Sequence, residues 1–273
     1  GTQFVTVGGA IANDVHGKNQ HVQGTFGRHV TRFELLRSDG SRTVCSADEN
    51  SELFRATIGG LGLTGLIQWA EIQLRPISSP LIDSQTVKFE STDEFFALSA
   101  ESDKTFEFTV AWIDCLHRSA QGSRGHFIRG NHAEVGPSGA HGLRAPRMLS
   151  FPVDPPFSLI NRASLRLFNT AYYHRQRSHL ARQHVHYRPF FYPLDGVLGW
   201  NRVYGRRGFF QFQSVIPRAA ARAAVEEMMA AIASSGQGSF LAVLKQFGDM
   251  PSPGMLSFPR PGATLALDFP NAG

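Results

Sequence analysis

The stretch Val5–Asn19, VTVGGAIANDVHGKN, sets Gly8, Gly9, Gly17 and the pair His16/Lys18 directly after a short β-branched run. Glycines in such a place let backbone N–H groups approach a ligand that a Cβ would hold off, and the polar side chains beside them can orient it. The combination suits a large, flat, anionic ligand. A nucleotide is one candidate, but the segment is no P-loop: the first glycine of G-x-x-x-x-G-K-[ST] falls on Ala12, and Asn19 replaces the magnesium-binding hydroxyl. A second cluster, Gly60-Leu61-Gly62-Leu63-Thr64-Gly65, satisfies G-x-G-x-x-G. It follows the helix-like ELFRATIGG and leads into the strand-like LIQWAEIQL, the reverse of a dinucleotide fingerprint. Alone, it reads as a helix stop and a turn of the chain.

Chemistry also gathers in three late strands. In GFFQFQSV, alternation puts Gln211 and Gln213 opposite Phe210 and Phe212; in ATLALDF it puts Thr264, Ala266 and Asp268 opposite Leu265, Leu267 and Phe269. Lys245 interrupts the apolar run SFLAVLKQF on the face of Leu241 and Val243. If these strands share a sheet, its polar side offers amides, a hydroxyl and an ammonium to a polyhydroxy ligand. Water is the alternative partner of those faces.

Other chemistries find less support. His184 and His186 could face one way on a strand, but no carboxylate or cysteine near them in the sequence completes a metal site. GTFG at Gly24–Gly27 is no nucleophile elbow, so hydrolase is not favoured. Cys45 and Cys115 are the two cysteines, which suggests neither a disulfide framework nor a metal cluster. The net charge of +5 is concentrated: Arg162, Arg166, Arg175, Arg177, Arg182 and Arg188 lie in a stretch without one acidic residue. That stretch is either a solvated face or, with Leu165, Leu167, Phe168, Tyr172 and Tyr173 alongside, a patch for an anionic headgroup or prenyl phosphate. Nucleic acid is disfavoured, since no recognition motif accompanies the charge.

The elements that must position these residues form an α+β pattern. Strands are expected near 3–8, 30–37, 67–75, 84–90, 105–113, 183–191, 208–216, 239–246 and 263–269. Helices are expected near 48–58, capped by Asp48 or Ser51, and near 92–100, 158–173 and from Pro217 to Ser234. In the last, Ala221, Val225, Met228 and Ile232 form an apolar stripe. Residues 119–157 read as a long surface excursion, and the domain change falls after Leu74, at Arg75-Pro76. With 273 residues and 42% hydrophobic content the chain can bury a real core. No apolar run approaches the ~18 residues of a membrane span, so the expected location is cytoplasmic or peripherally membrane-associated. The chain opens within a strand-like run, which points to a natural start upstream.

In order along the chain, GTQFVTVGGAIANDVHGKN, ELFRATIGGLGLTGLI, TVAWIDCL, FYPLDGVLGWNRVYG, GFFQFQSVIP, SFLAVLKQFG, LSFPRPG and ALDFP resemble the decaprenylphosphoryl-β-D-ribose 2'-oxidase family. That family belongs to the vanillyl-alcohol oxidase type of FAD oxidoreductases, with its PCMH-type flavin-binding domain. The resemblance covers nearly the whole chain and is weakest from Gly122 to Asn169. It implies that residues 1–75 are the second half of the flavin-binding domain. Residues 76–273 would then be a substrate domain, incomplete at its C-terminus, with a largely antiparallel sheet flanked by helices. It also implies FAD as cofactor, near Thr2, Val5, Gly8, Gly9, Ala10, Asn13, Val15, His16, Leu61, Gly62 and Ile67. Substrate would meet Lys18, Trp112, Gln211, Gln213, Lys245, Phe247 and Thr264, with His16 and Lys245 in catalytic roles. For His16 a packed ring without acid–base function is the alternative.

The implied reaction oxidises the 2'-hydroxyl of a polyprenyl-phosphate pentose to a keto sugar by hydride transfer to the flavin, with a partner reductase possible. An oxidase of unlinked sugars, alditols or aldonolactones, and a non-catalytic binding or scaffold protein, are the alternatives. The family's first flavin-binding subdomain and a C-terminal lysine and tyrosine are not in this chain, and Ala266 stands where mycobacterial members carry a cysteine.

Overall fold

The computed structural model describes residues 1–117, 119, 122–134 and 149–271, and its chain separates into two units. The smaller holds Gln3–Ile77 and Phe247–Pro261; the larger holds Gly1–Thr2, Ser78–Gln246 and the residues from Gly262 onward.

In the smaller unit, the strand expected at 3–8 is replaced by a short helix, α1 (Val7–Ala12), after an irregular start. Thr6 caps it, its Oγ1 accepting from the Gly9 N–H at 3.1 Å. Gly8 and Gly9 are poor helix formers, each about 1 kcal/mol worse than alanine. Burial of Ala10, Ile11 and Ala12 outweighs that propensity and explains why a β-branched run misleads here. After α2 (Gln20–Gln23), β1 (Val30–Leu36) pairs antiparallel with β2 (Arg42–Ser46) and β3 (Leu66–Ile72) in the order β2-β1-β3. Strand β2 had no counterpart among the expected elements. Helix α3 (Ser51–Thr57) lies where expected, but its N-cap is Asn50, in the left-handed region at φ 50°, with Nδ2 donating to the Val44 carbonyl. Ile11, Val30, Phe33, Leu35, Cys45, Phe54 and Ile58 form the core, with Phe33 stacked on Phe54.

One buried carboxylate ties this unit together. Asp14, fully buried at φ 42°, accepts from the Gly27 N–H at 2.8 Å and from the hydroxyls of Ser252 and Ser257. It thereby joins the segment after α1 to the loop 247–261. Gly27 has to be a glycine: a Cβ there would stand 2.4 Å from Ile58 Cγ2 and 2.7 Å from Asp14 Oδ1.

The larger unit is built on seven strands: β4 (Leu81–Phe89), β5 (Phe108–Ile113), β6 (Gly125–His132), β8 (Leu180–His186), β10 (Phe209–Ile216), β11 (Val243–Phe247) and β12 (Gly262–Pro270). Their order is β10-β12-β11-β5-β6-β4-β8, and every pairing with a described register is antiparallel. Two-residue strands β7 (Leu149–Ser150) and β9 (Val197–Leu198) pair in parallel beside it. Ala111, Ile113, Phe127, Val87, Phe89, Leu244, Leu265 and Leu267 line one face, which packs with α4 (Thr92–Ser102) and α7 (Arg218–Ser235). In α7 the fully buried row is Ala221, Val225, Met229 and Ala233, one position round from the expected stripe; Met228 and Ile232 flank it.

Two further expectations change. A central strand, β6, occupies part of the supposed surface excursion; its GHFIRGNH pattern mixes glycine and polar residues because only Phe127 and its neighbours face the core. The remainder of that excursion at 135–148 lies outside the described residues. Strand β8 stops at His186, whose side chain accepts from the Arg188 N–H and starts α6 (Tyr187–Phe191). Helix α5 (Arg162–His174) begins with a reciprocal Asn161/Ser164 capping box.

Replacing Asp14 by alanine removes the acceptor of the buried Gly27 N–H and of the Ser252 and Ser257 hydroxyls, one of which can still donate to the other at 2.6 Å, and each donor left without a partner costs about 1–3 kcal/mol. Urea denaturation of Asp14→Ala should show a loss of roughly 3 kcal/mol or more; a loss under about 1 kcal/mol would mean that Asp14 does not hold the 247–261 loop.

Candidate active site

The side of the seven-stranded sheet opposite its apolar core face carries the polar residues, with α5 packed over part of it. Trp112 pairs with Val243 and with His126, so Lys245, two residues beyond Val243, shares their face. Gln211 pairs directly with Asp268, and Gln213 with Ala266. Because Leu265 and Leu267 are core, Thr264, Ala266 and Asp268 point the other way. Five expected substrate residues, Trp112, Gln211, Gln213, Lys245 and Thr264, are thus brought to one face by β5, β10, β11 and β12. Lys245 is 9% exposed, Thr264 1% and Asp268 2%, while Gln211 is exposed.

The side chains hold one another. Gln211 Nε2 donates to Asp268 Oδ1 at 3.0 Å, and Gln213 Nε2 donates to Thr264 Oγ1 at 2.9 Å. Burial raises the Asp268 carboxyl, against the Gln211 hydrogen bond that favours its ionised form. Trp112 donates Nε1–H to the Phe240 carbonyl and packs against Tyr172 of α5, with ring centres 4.6 Å apart. His126, which the sequence had not singled out, lies beside Trp112 with Nε2 3.1 Å from the Tyr173 carbonyl, and burial lowers its imidazole to about 4. The imidazole is therefore neutral near pH 7. The hydroxyl of Tyr173 donates to Glu90, and its ring centre lies 4.1 Å from Lys88 Nζ and 4.4 Å from the Arg124 guanidinium carbon.

The smaller unit holds the other expected residues. Val5 and Asn13 are exposed, Thr2, Val15 and Ile67 half-buried, and Ala10 buried. Thr2 itself belongs to the larger unit. Gly8 and Gly9 form the first turn of α1, and a Cβ on Gly8 would meet Ile67 at 3.9 Å and nothing nearer. His16 bridges to Thr25 and packs edge-on against Phe247 at 4.8 Å, with Phe258 behind it. Lys18 is half-buried, and desolvation pushes its ammonium down to about 7. Past α3 the chain turns through Gly59, Leu61 and Gly62, all in the left-handed region, with Leu61 N–H bonded to the Ala12 carbonyl. Leu61 and Leu63 are exposed, and a Cβ on Gly62 would meet nothing within 4 Å. Open glycine backbone flanked by apolar side chains fits the flat rings and the hydrogen-bonding edge of a dinucleotide flavin.

Some residues are placed elsewhere. His184 lies 2.6 Å from Asp83 of β4, a carboxylate that the spacing along the chain did not reveal, but among the described residues no group of three or more metal-ligating side chains forms. Cys115 is buried, accepts from the Ser239 N–H, and its thiol is pushed up to about 11 by desolvation; Cys45 is buried in the other core. Among the described residues, no helix is long and apolar enough to cross a membrane.

No family model matches the chain. It is 36% identical over 284 residues, 99% of its length, to the decaprenylphosphoryl-beta-D-ribose oxidase of Mycolicibacterium smegmatis, of which it spans 60%. It is 31% identical over 283 residues to an uncharacterized protein in the mprA 5' region of Streptomyces coelicolor, covering 75% of that relative. The chain belongs to the decaprenylphosphoryl-ribose oxidase-like family of FAD-dependent oxidoreductases. A shorter match, 30% over 113 residues, reaches cytokinin dehydrogenase 9 of Oryza sativa, and the family's PCMH-type flavin fold accords with the mixed architecture and its large antiparallel sheet.

A lysine that titrates lower in the folded than in the unfolded chain favours folding more as pH rises, because the unfolded state then binds more protons. For Lys18 the window runs from about 7 to the ordinary 10.5. Stability measured by urea between pH 7 and 10 should therefore climb more steeply in the native chain than in Lys18→Met. Parallel curves would show that Lys18 is solvated.

Proposed function

We propose that the protein oxidises a secondary hydroxyl of a lipid-linked sugar, a polyprenyl-phosphate pentose such as decaprenylphosphoryl ribose, to a ketone with FAD as cofactor. The observation that carries this reading is the single polar face on which four strands gather Trp112, Gln211, Gln213, Lys245 and Thr264, in a chain so similar to a ribose oxidase. In this reading residues 1–75 are the second part of the flavin-binding domain and residues 76–273 the substrate domain.

FAD, when bound, supplies the two-electron acceptor for the alcohol. Thr2, Val5, Gly8, Gly9, Ala10, Asn13, Val15, Leu61, Gly62 and Ile67 would hold it, through backbone and apolar contact. Gln211, Gln213 and Thr264 hold sugar hydroxyls, and the Lys245 ammonium fixes the oxygen nearest the reacting carbon, so that the alcohol is presented in one orientation. Trp112 and Phe247 exclude water from it, and Lys18 contacts the substrate's polar end. A ring nitrogen of His16 takes the hydroxyl proton as the carbon is oxidised. The packing of that ring against Phe247 and Phe258 also suits the alternative of a purely structural histidine.

The deciding measurement is turnover by the full-length protein. Oxidation of a prenyl-phosphate pentose with little activity on sugars that lack the lipid supports the proposal. The reverse preference would make it an oxidase of simple sugars or alditols. Absence of the flavin absorption bands would leave a binding protein. Lys245→Ala in that protein should lower kcat/KM at least 100-fold, a loss of about 2.7 kcal/mol of transition-state binding. Arg222→Ala should stay within about threefold, because Arg222 is exposed on α7, paired with Asp93 and Glu226, and such surface changes are worth about 0.5 kcal/mol. Equal activity of the two variants removes Lys245 from the site.

The arginine-rich segment gives the substrate's lipid a place to come from. Arg162, Arg166, Arg175, Arg177, Arg182 and Arg188 are all exposed, and among the described residues none of them forms an ion pair. Leu167 and Phe168 are exposed on the same helix, α5, whose Leu165, Asn169 and Tyr173 face inward. We propose a peripheral contact with anionic lipid, each cation worth about 1 kcal/mol near the surface. Binding to phosphatidylglycerol vesicles should fall steeply between about 50 and about 300 mM salt, over which the Debye length shrinks from about 14 to about 6 Å, and with glutamate at Arg175, Arg177 and Arg182. Salt-insensitive binding, or none at low salt, returns the segment to a solvated face.

A further inference from the structure

Resting on that reading of the polar face, we infer that Asp268 is a positioning residue that turns the Gln211 carboxamide so that its oxygen, not its nitrogen, meets the ligand. Asp268 lies directly across from Gln211 in the β10–β12 register and is 2% exposed, whereas Gln211 is exposed. A carboxylate only accepts hydrogen bonds, so the amide group facing it has to be the NH2, which is the observed contact at 3.0 Å. The amide oxygen is left on the outward side. The Asp268 backbone is itself fixed, its N–H donating to Ser239 Oγ at 3.3 Å, and its carboxylate stands on a central strand between β10 and β11. The anchor is thus more rigid than the group it orients.

Gln213 repeats the arrangement diagonally on the same two strands, with Nε2 on Thr264 Oγ1 at 2.9 Å. A threonine hydroxyl can donate as well as accept, so this second pair constrains its amide less than Asp268 constrains Gln211. The outcome is an amide oxygen offered to the ligand at Gln211. At that point the site selects a hydroxyl donor: an alcohol satisfies the oxygen, and a group that only accepts, such as fluorine, an ether or a ketone, does not. Asp268 would in this way set specificity without touching substrate.

The test uses full-length flavoprotein and short-chain prenyl-phosphate ribose, with its 2-, 3- and 5-monofluoro derivatives as probes. Fluorine accepts weakly and cannot donate. Dissociation constants measured by calorimetry should show one ring position at which fluorine weakens binding by about tenfold, the size of one lost hydrogen bond. In Asp268→Asn, whose own amide can pair with either end of Gln211, that penalty should shrink to about threefold or less, with the penalties at the other positions unchanged. Asp268→Ser is read in its place if the asparagine protein fails to retain flavin. Gln211→Leu separates the two levels of the argument. If it erases the penalty while both Asp268 variants keep it, Asp268 does not orient the amide, and the polar-face reading stands. If Gln211→Leu changes no penalty in a protein that binds the lipid-linked sugar, Gln211 is not in the site and the reading beneath the inference fails.

Discussion

The carboxylate of Asp14 is the constraint on which the smaller unit depends. It follows α1, sits in a left-handed conformation that costs a non-glycine residue about 1 kcal/mol or more, and is wholly buried. Such a residue persists only where its surroundings over-determine it. Here a backbone N–H and two serine hydroxyls converge on it, so that a charge too expensive to bury alone is compensated by several donors. The same contacts fix the glycine segment two residues before His16 and bring in Ser252 and Ser257, more than 230 residues away in sequence. His16, Phe247 and Phe258 then pack as a group because both ends of their chain segments are pinned.

The larger unit rests on a simpler rule, strand alternation, and that is the part of the molecule most legible in its sequence. The faces read from GFFQFQSV and ATLALDF are those observed, and the helices near 92–100, 158–173 and 217–234 are found close to their expected bounds. What could not be read has physical causes. Helix α1 forms from two glycines and a β-branched lead because Ile11 and its neighbours are buried, a tertiary gain invisible to local propensity. Strand β6 escapes notice because its glycines and histidines are accommodated by particular neighbours. Gly125 lies so near Trp112 and Phe89 that any Cβ would collide with them, and His126 is shielded by α5.

The candidate site shows the same division. Gln211, Gln213, Lys245 and Thr264 were visible as polar interruptions of apolar strands, and the likeness to a known family added Trp112 and Phe247. Asp268 was visible on the same face, but its relation to Gln211 depends on the register between β10 and β12, which no periodicity within either strand specifies. Asp14 and His126 gave no local sign. Their importance comes from partners far along the chain, and a lone aspartate after an alanine-rich stretch looks like any loop residue.

The choice between a ligand-binding face and a merely solvated one turns on burial. A polar sheet face that meets water leaves its side chains exposed and mobile, with their hydrogen bonds made to solvent. Thr264, Asp268 and Lys245 are instead almost inaccessible, at 1, 2 and 9%. Withdrawing an ammonium and a carboxylate from water costs several kcal/mol each before compensation, and hydrophobic residues of similar size on the same strands would avoid that cost. A sequence that keeps Lys, Asp and Thr there, and uses two of them to orient glutamines at the edge, gains nothing in stability that leucine would not have given. On the function proposed above, the gain lies in the directed hydrogen-bonding groups, which a polyhydroxy ligand can use and a solvent-facing sheet does not require.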